Sequence, residues 1–158
     1  MTNELQTVLI VDDEAAIRKL IFAKFSSAGY SCLEAGNAAQ AVDILNVHPV
    51  SLVILDVKMP GKPGTELLPE IKERFPDTAV IMATAMADVS TAITCMQHGA
   101  YDYITKPFDL DDLVHSVGRA MEKRRLELEN KEFQEHLQDK VTEQACRIRA
   151  SFFNAIGL

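Results

Sequence analysis

The chain lacks most of what would place it in a membrane, in a disulfide scaffold or on nucleic acid. No apolar run approaches the roughly 18 to 20 residues that a bilayer-spanning helix needs. The start, Met1-Thr2-Asn3-Glu4, has no basic region followed by an apolar block, so no signal peptide is expected and a cytoplasmic location follows. Cys32, Cys95 and Cys146 are odd in number, far apart and without Cys-x-x-Cys spacing, which points to inert thiols. His48, His98, His115 and His136 lack ligand spacing and suit surface or helix-end roles. Basic residues are scarce up to residue 118, with 8 against 16 acidic ones. Phosphate backbones are bound by clustered Lys and Arg, so direct nucleic-acid binding is not expected. The short cluster Lys123-Arg124-Arg125 precedes acidic residues and reads as a solvated helix face. No Gly-x-Gly-x-x-Gly is present, which removes the common phosphate cradle of nucleotide and flavin binders.

What the chain does have is a set of short, continuous apolar runs that end in polar residues. Val50 to Leu55 runs into Asp56 and then into Met59-Pro60-Gly61. Such a run is expected of a strand buried on both faces, as in a parallel sheet. Thr7–Val11 ends in the same way at Asp12-Asp13-Glu14 and Thr78–Ala83 at Thr84, and Ala100–Thr105 reads as a fifth strand ending at Lys106-Pro107. Tyr30 to Ala35 alternates and is expected near a sheet edge. Helical spacing separates these runs, at Ile17, Leu20, Ile21, Phe25 and Ala28, then at Ala38, Ala41, Val42 and Leu45. It returns at Leu67, Leu68, Ile71 and Phe75, with Pro69 expected near the first turn, and at Val89, Ala92, Ile93 and Met96. Asp109 can cap a fifth helix carrying Leu110, Leu113, Val114 and Val117. Five strands alternating with five helices predict an α/β fold, a doubly wound parallel sheet of order 2-1-3-4-5, with its switch point between strands 1 and 3.

That order brings Asp12, Asp13, Asp56, Thr84 and Lys106 to one sheet edge. Three converging carboxylates repel unless a cation joins them, and hard oxygen ligands suit Mg²⁺. A hydroxyl and an ammonium beside them suit an anion. Together they make a phosphoryl-transfer set with Asp56 as the natural nucleophile. Taken singly, Asp12 and Asp13 could cap a helix, Asp56, Thr84 and Lys106 could be loop residues, and Tyr103 a core aromatic.

The motifs Asp12-Asp13-Glu14, Asp56-Val57-Lys58-Met59-Pro60-Gly61, Ala83-Thr84-Ala85 and Gly99 to Phe108 closely resemble the receiver domain of two-component response regulators, over about residues 5 to 120. The resemblance implies a flavodoxin-like fold and phosphoryl transfer to Asp56 from a sensor histidine kinase or phosphotransfer protein. It implies Mg²⁺ held by Asp13, Asp56 and the main-chain carbonyl of Lys58, with Asp12 acting mainly through water. Thr84 and Lys106 would hold phosphoryl oxygens, Tyr103 would be a switch aromatic, and Lys106-Pro107 would be cis. Pro63 stands where many relatives carry a polar residue, which bears on loop flexibility. Lys58 and Met86, two residues beyond Asp56 and Thr84, could gate attacking water.

The sequence divides into residues 1–120, the receiver-like part, and residues 121–158, a helical linker expected to lead to an output domain outside this chain. No Pro and only Gly118 occur from Asp109 to Ile156, and opposite charges recur at i,i+4, as in Arg125/Glu129. The apolar series Val117, Met121, Leu128, Phe133, Leu137, Val141, Ala145, Ile148 and Phe152 suggests a parallel dimeric coiled coil with a stutter. The linker is also similar to the lead-in to HD-GYP phosphodiesterases, although no His-Asp metal motif occurs here. No enzymatic turnover beyond self-phosphorylation and self-dephosphorylation at Asp56 is expected. The competing readings are a Mg²⁺-dependent phosphohydrolase of the haloacid dehalogenase type, which places an Asp-x-Asp after its first strand, and a docking or dimerisation module that is never phosphorylated.

Overall fold

The computed structural model describes residues 6–155, with side chains over residues 6–140. Ten elements alternate along it: β1 (Thr7–Val11), α1 (Ala15–Ser27), β2 (Ser31–Ala35), α2 (Ala38–Val47), β3 (Leu52–Leu55), α3 (Gly64–Arg74), β4 (Ala79–Thr84), α4 (Val89–Gln97), β5 (Asp102–Thr105) and α5 (Leu110–Ala155). The strands form one parallel sheet of order β2-β1-β3-β4-β5. The doubly wound, flavodoxin-like arrangement expected from the strand and helix pattern is present.

The continuous apolar runs are needed because both faces of the sheet are covered. Leu9, Val11, Val53, Leu55, Val80 and Met82 point to one face and pack with Ala41 and Leu45 of α2 and with Leu67, Leu68 and Ile71 of α3. The alternate residues Val8, Ile10, Leu52, Ile54, Ile81 and Ala83 meet Ile21 and Phe25 of α1 and Leu113, Val117, Ala120 and Met121 of α5. A side chain such as Phe25, with no exposed surface, contributes roughly 1.5–3 kcal/mol by burial.

Three helices depart from their sequence reading. In α4 the apolar spacing picks out the outward side: Val89 is 71% exposed and Ile93 52%, while Cys95 is the residue buried beneath. The helix packs through a narrow strip, and hydrophobic spacing identifies a face without saying which way it turns. Leu20 of α1 is exposed for the same reason. Pro69 is the sixth residue of α3, not a first-turn residue, because Pro63 is the N-cap and its carbonyl already accepts the Glu66 and Leu67 amides.

His48 and His98 sit at helix ends as expected, capping α2 and α4. Lys123 and Arg124 are not merely solvated. Lys123 Nζ lies 5.5 Å from the centre of the Tyr101 ring, and Arg124 Nε donates to the Asp77 carbonyl at 2.7 Å.

The chain parts into two compact units between Arg124 and Arg125. The second is helical, with an Arg125–Glu129 ion pair of 2.6 Å. The coiled-coil positions Val141, Ala145, Ile148 and Phe152, and Cys146, lie outside the residues whose side chains are described. No helix among the described residues is long and apolar enough to cross a membrane.

Gly118 lies inside α5, and an added Cβ there would meet nothing within 4 Å. Gly118→Ala is therefore expected to stabilise the protein by about 0.5–1 kcal/mol, chiefly by restricting the unfolded chain. Urea denaturation with an unchanged slope and a higher midpoint is the expected reading.

Candidate functional site

The carboxyl edge of the sheet collects five side chains from four strand ends. Asp12 follows β1 at once, and its amide donates to the Ala35 carbonyl at 3.1 Å. Asp56 follows β3, with its amide on the Val11 carbonyl at 3.0 Å. Thr84 closes β4, and its carbonyl accepts the Lys106 amide at 2.7 Å just past β5. Backbone pairing alone therefore sets the spacing of these residues.

Asp12 and Asp56 are 3% and 4% exposed, Thr84 is fully buried, and Asp13 faces outward. One carboxylate oxygen from each of Asp12, Asp13 and Asp56 lies within 4.8 Å of the others. Lys106 Nζ contacts Asp12 Oδ2 at 2.7 Å and Asp56 Oδ2 at 3.2 Å. Lys106 thus bridges two of the acids and is not set apart from them. It serves as their counter-ion, since carboxylates removed from water need a cation. Burial pushes the Asp56 carboxyl above its usual range; the Thr84 hydroxyl and the Lys106 ammonium oppose that, and Asp12 reinforces it. Burial by itself would lower Lys106, but hydrogen bonding to Asp12 and the charges of both acids outweigh it and hold the ammonium above its usual range.

The outer part of the site is tied together by Met86. Its amide donates to Thr84 Oγ1 at 3.2 Å, and its carbonyl accepts the Tyr103 hydroxyl. Thr84 and Tyr103 are therefore linked through one loop residue that the sequence suggested only as a water gate. Lys58 is exposed, and its amide is 3.4 Å from Asp56 Oδ1. The Lys106-Pro107 bond is cis.

Two further residues shape the site through main-chain contacts. Gly64 packs its Cα against the Asp56 backbone, where a Cβ would stand 2.0 Å from the Asp56 carbonyl oxygen. The signal in the sequence was a Pro-Gly pair opening a helix. Arg18 donates to the Asp12 carbonyl at 2.7 Å. Its signal was fainter: an Arg in the helix that follows the acids and an acidic residue, Glu34, in the neighbouring strand.

All-oxygen donors of this kind fit a hard divalent cation: three carboxylates from two loops, two of them buried, with one ammonium shared between them.

The response regulator receiver domain family matches residues 8–118. A response regulator of Rickettsia felis described as NtrX-like is 42% identical over 135 residues, which are 84% of this chain and 28% of that protein. The DNA-binding transcriptional regulator NtrC of Escherichia coli K12 is 38% identical over 114 residues, 72% of this chain and 24% of that one. The chain thus spans about a quarter of the length of these curated relatives. The crystal structure of NtrX from Brucella abortus superposes with a TM-score of 0.77 at 34% identity, covering 82% of this chain and 30% of the other. With the sheet order, the acid cluster and these likenesses in agreement, the chain belongs to the response regulator receiver domain family.

Proposed function

We propose that the chain is a phosphoacceptor that takes a phosphoryl group on Asp56 and passes the resulting change to α5. The observation that carries this reading is the buried Asp56 carboxylate at the end of β3, with Lys106 at 3.2 Å and two further acids close by. In the transfer, an Asp56 carboxylate oxygen attacks the phosphorus of a phosphohistidine on a sensor kinase or phosphotransfer protein. The P–O bond forms as the P–N bond breaks, and the imidazole leaves with the bonding pair. Asp12, Asp13, Asp56 and the Lys58 main-chain carbonyl would hold Mg²⁺, which when bound supplies positive charge for the phosphoryl oxygens. Lys106, already charged, neutralises the oxygens that face β5. The Thr84 hydroxyl accepts the Met86 amide and donates toward the Asp56 carboxylate, so it is placed to turn that donation onto one of them.

Phosphorylation adds charge at Asp56. Drawing Thr84 toward it pulls on Met86, which holds the Tyr103 hydroxyl, so Tyr103 is the first aromatic to respond. β5 is joined to α5 by Ser116 Oγ, which donates to Asp102 Oδ2 at 2.8 Å, while Asp102 Oδ1 accepts the Tyr103 amide at 2.8 Å. No turnover beyond gain and loss of the phosphoryl group is proposed. The test is incubation with acetyl phosphate and Mg²⁺ followed by intact mass; absence of a Mg²⁺-dependent phosphoryl adduct would falsify the reading.

The second unit is proposed to be a linker helix that pairs with a second copy. Phe133 and Leu137 of the apolar series are 63% and 51% exposed, whereas Leu128 is half-buried and Leu126, outside the series and seven residues before Phe133, is 51% exposed; Leu126, Phe133 and Leu137 are the proposed seam. An NtrX-like arrangement is favoured over an HD-GYP one, because the match to the NtrX-like relative, at 135 residues, is longer than the receiver portion. Sedimentation with and without beryllofluoride and Mg²⁺ should show a dimer whose population changes. A monomer under both conditions would eliminate the pairing.

A further inference from the structure

We infer that Arg18 is a positioning residue for the acidic site, acting through the peptide that joins Asp12 to Asp13; the inference rests on the metal-binding reading above.

Arg18 lies on α1, outside the acid cluster, with its side chain 18% exposed. One guanidinium NH1 donates to the Asp12 carbonyl at 2.7 Å, and Nε donates to Glu34 Oε1 on β2 at 3.3 Å. That carbonyl precedes the α1 helix and belongs to the planar Asp12–Asp13 peptide, so fixing its direction also fixes the amide and Cα of Asp13. Every other polar group of Asp12 is also engaged: its amide on Ala35 O at 3.1 Å, Oδ1 by the Glu14 amide at 2.9 Å, and Oδ2 by Lys106 at 2.7 Å. Asp13 faces outward, and its backbone brings its carboxylate to the cluster. The Arg18 bond therefore fixes the peptide before Asp13, as the Glu14 amide on Asp12 Oδ1 fixes the one after it, and together they set how Asp13 is presented.

Charge and geometry predict opposite signs when Arg18 is removed. A guanidinium beside three carboxylates disfavours a second cation, so on charge alone its loss would tighten Mg²⁺ binding. Glu34 already offsets that charge from 3.3 Å, and the opposed pair leaves a small field at the acids. Groups that orient metal ligands from outside the coordination shell typically alter affinity by about 10–100-fold. Geometry is therefore expected to dominate, and Arg18→Met should weaken Mg²⁺ binding about tenfold.

The experiment is an MgCl₂ titration of the 158-residue chain, following the amide signals of Asp13 and Lys58 by NMR, with thermal denaturation in EDTA alongside. Arg18→Met is compared with wild type and with the Arg18→Met/Glu34→Gln pair, in which both charges are gone. Affinity that is lowered in both variants, by more than the metal-free melting shift explains, supports the inference. Affinity equal to or tighter than wild type in Arg18→Met overturns it, because charge then outweighs geometry; wild-type affinity in the pair also overturns it, because the contact to the Asp12 carbonyl is absent there too. Should Arg18→Met fail to fold, Arg18→Lys carries the test. It keeps the charge and one donor, so intermediate weakening supports the inference and wild-type affinity overturns it. Absence of any Mg²⁺ response in wild type overturns the metal reading and this inference with it, whereas wild-type-like binding in the variants overturns the inference alone.

Discussion

Asp56→Asn is expected to gain no phosphoryl group from acetyl phosphate and Mg²⁺, while wild type gains one. The amide nitrogen and oxygen are poor nucleophiles, and the remaining acids are badly placed to substitute. Asp12 is held by Lys106 at 2.7 Å and by the Glu14 amide, and Asp13 faces outward. Persistence of an adduct in the variant would move the acceptor to another residue.

The same substitution carries a stability expectation of the opposite sense. Repulsion between carboxylates whose oxygens lie within 4.8 Å is on the order of 1 kcal/mol or more. Lys106 keeps its shorter contact to Asp12 when Asp56 is neutral. Asp56→Asn should therefore be more stable than wild type at neutral pH by roughly 1 kcal/mol, a few degrees in Tm. The pH dependence has a definite sign. Burial raises the Asp56 carboxyl in the folded state, so the folded state favours its protonated form. That contribution is fully present below the unfolded carboxylate pKa of about 4 and is lost as pH rises through the elevated folded value. The advantage of Asp56→Asn should accordingly be small in acid and reach its full size at neutral pH. A constant difference from acid to neutral pH would contradict the assignment.

Gly64→Ala is the second large effect. Its Cβ would fall 2.0 Å from the Asp56 carbonyl oxygen and 2.8 Å from the Asp56 carbonyl carbon, and both atoms belong to the backbone. Neither can swing aside as a side chain can. The loop must open, weakening the Gly64 amide bond to the Val57 carbonyl, now 2.8 Å, and displacing Asp56 itself. A destabilisation of about 2–4 kcal/mol is expected from overpacking and a compromised buried hydrogen bond. Phosphorylation should slow by on the order of a hundredfold, since small misplacements of a reacting group cost that much. Gly61→Ala is the control within the same loop. Gly61 has φ of 80° but open space around it, so its penalty is only the left-handed conformation, about 1–2 kcal/mol. Equal losses in the two variants, by thermal melting and by the labelling rate, would mean that loop strain and not proximity to Asp56 is responsible.

Much of the site was legible in the sequence because parallel strands need unbroken apolar runs, and each run here stops at a polar residue that the sheet then lines up. Asp12, Asp56, Thr84 and Lys106 were readable on that ground. Asp13 followed as the neighbour of Asp12. The contribution of Gly64 was not readable, because it depends on how closely a helix start approaches a carbonyl eight residues earlier. The roles of Arg18 and Met86 escaped for a related reason: Arg18 acts on a main-chain carbonyl and Met86 through its own amide and carbonyl, and main-chain groups leave no mark in residue identity. The outward turn of α4 was missed because nine residues of spacing define a stripe and not its direction. The tail was readable as a helix from composition alone, while its partner is a matter of surface chemistry.

The contacts of α5 with the receiver portion have one more implication. Ser116 meets Asp102, Leu113, Val117 and Met121 enter the core, and Lys123 and Arg124 reach Tyr101 and Asp77. Inserting or deleting one residue between Ser116 and Lys123 would rotate the following positions by about 100° and move them by about 1.5 Å. Both cations would then leave their partners. The stretch from Val117 to Glu122 therefore cannot vary in length, nor its core positions Val117, Ala120 and Met121 in character, and the helix has a fixed rotational phase where it leaves the sheet.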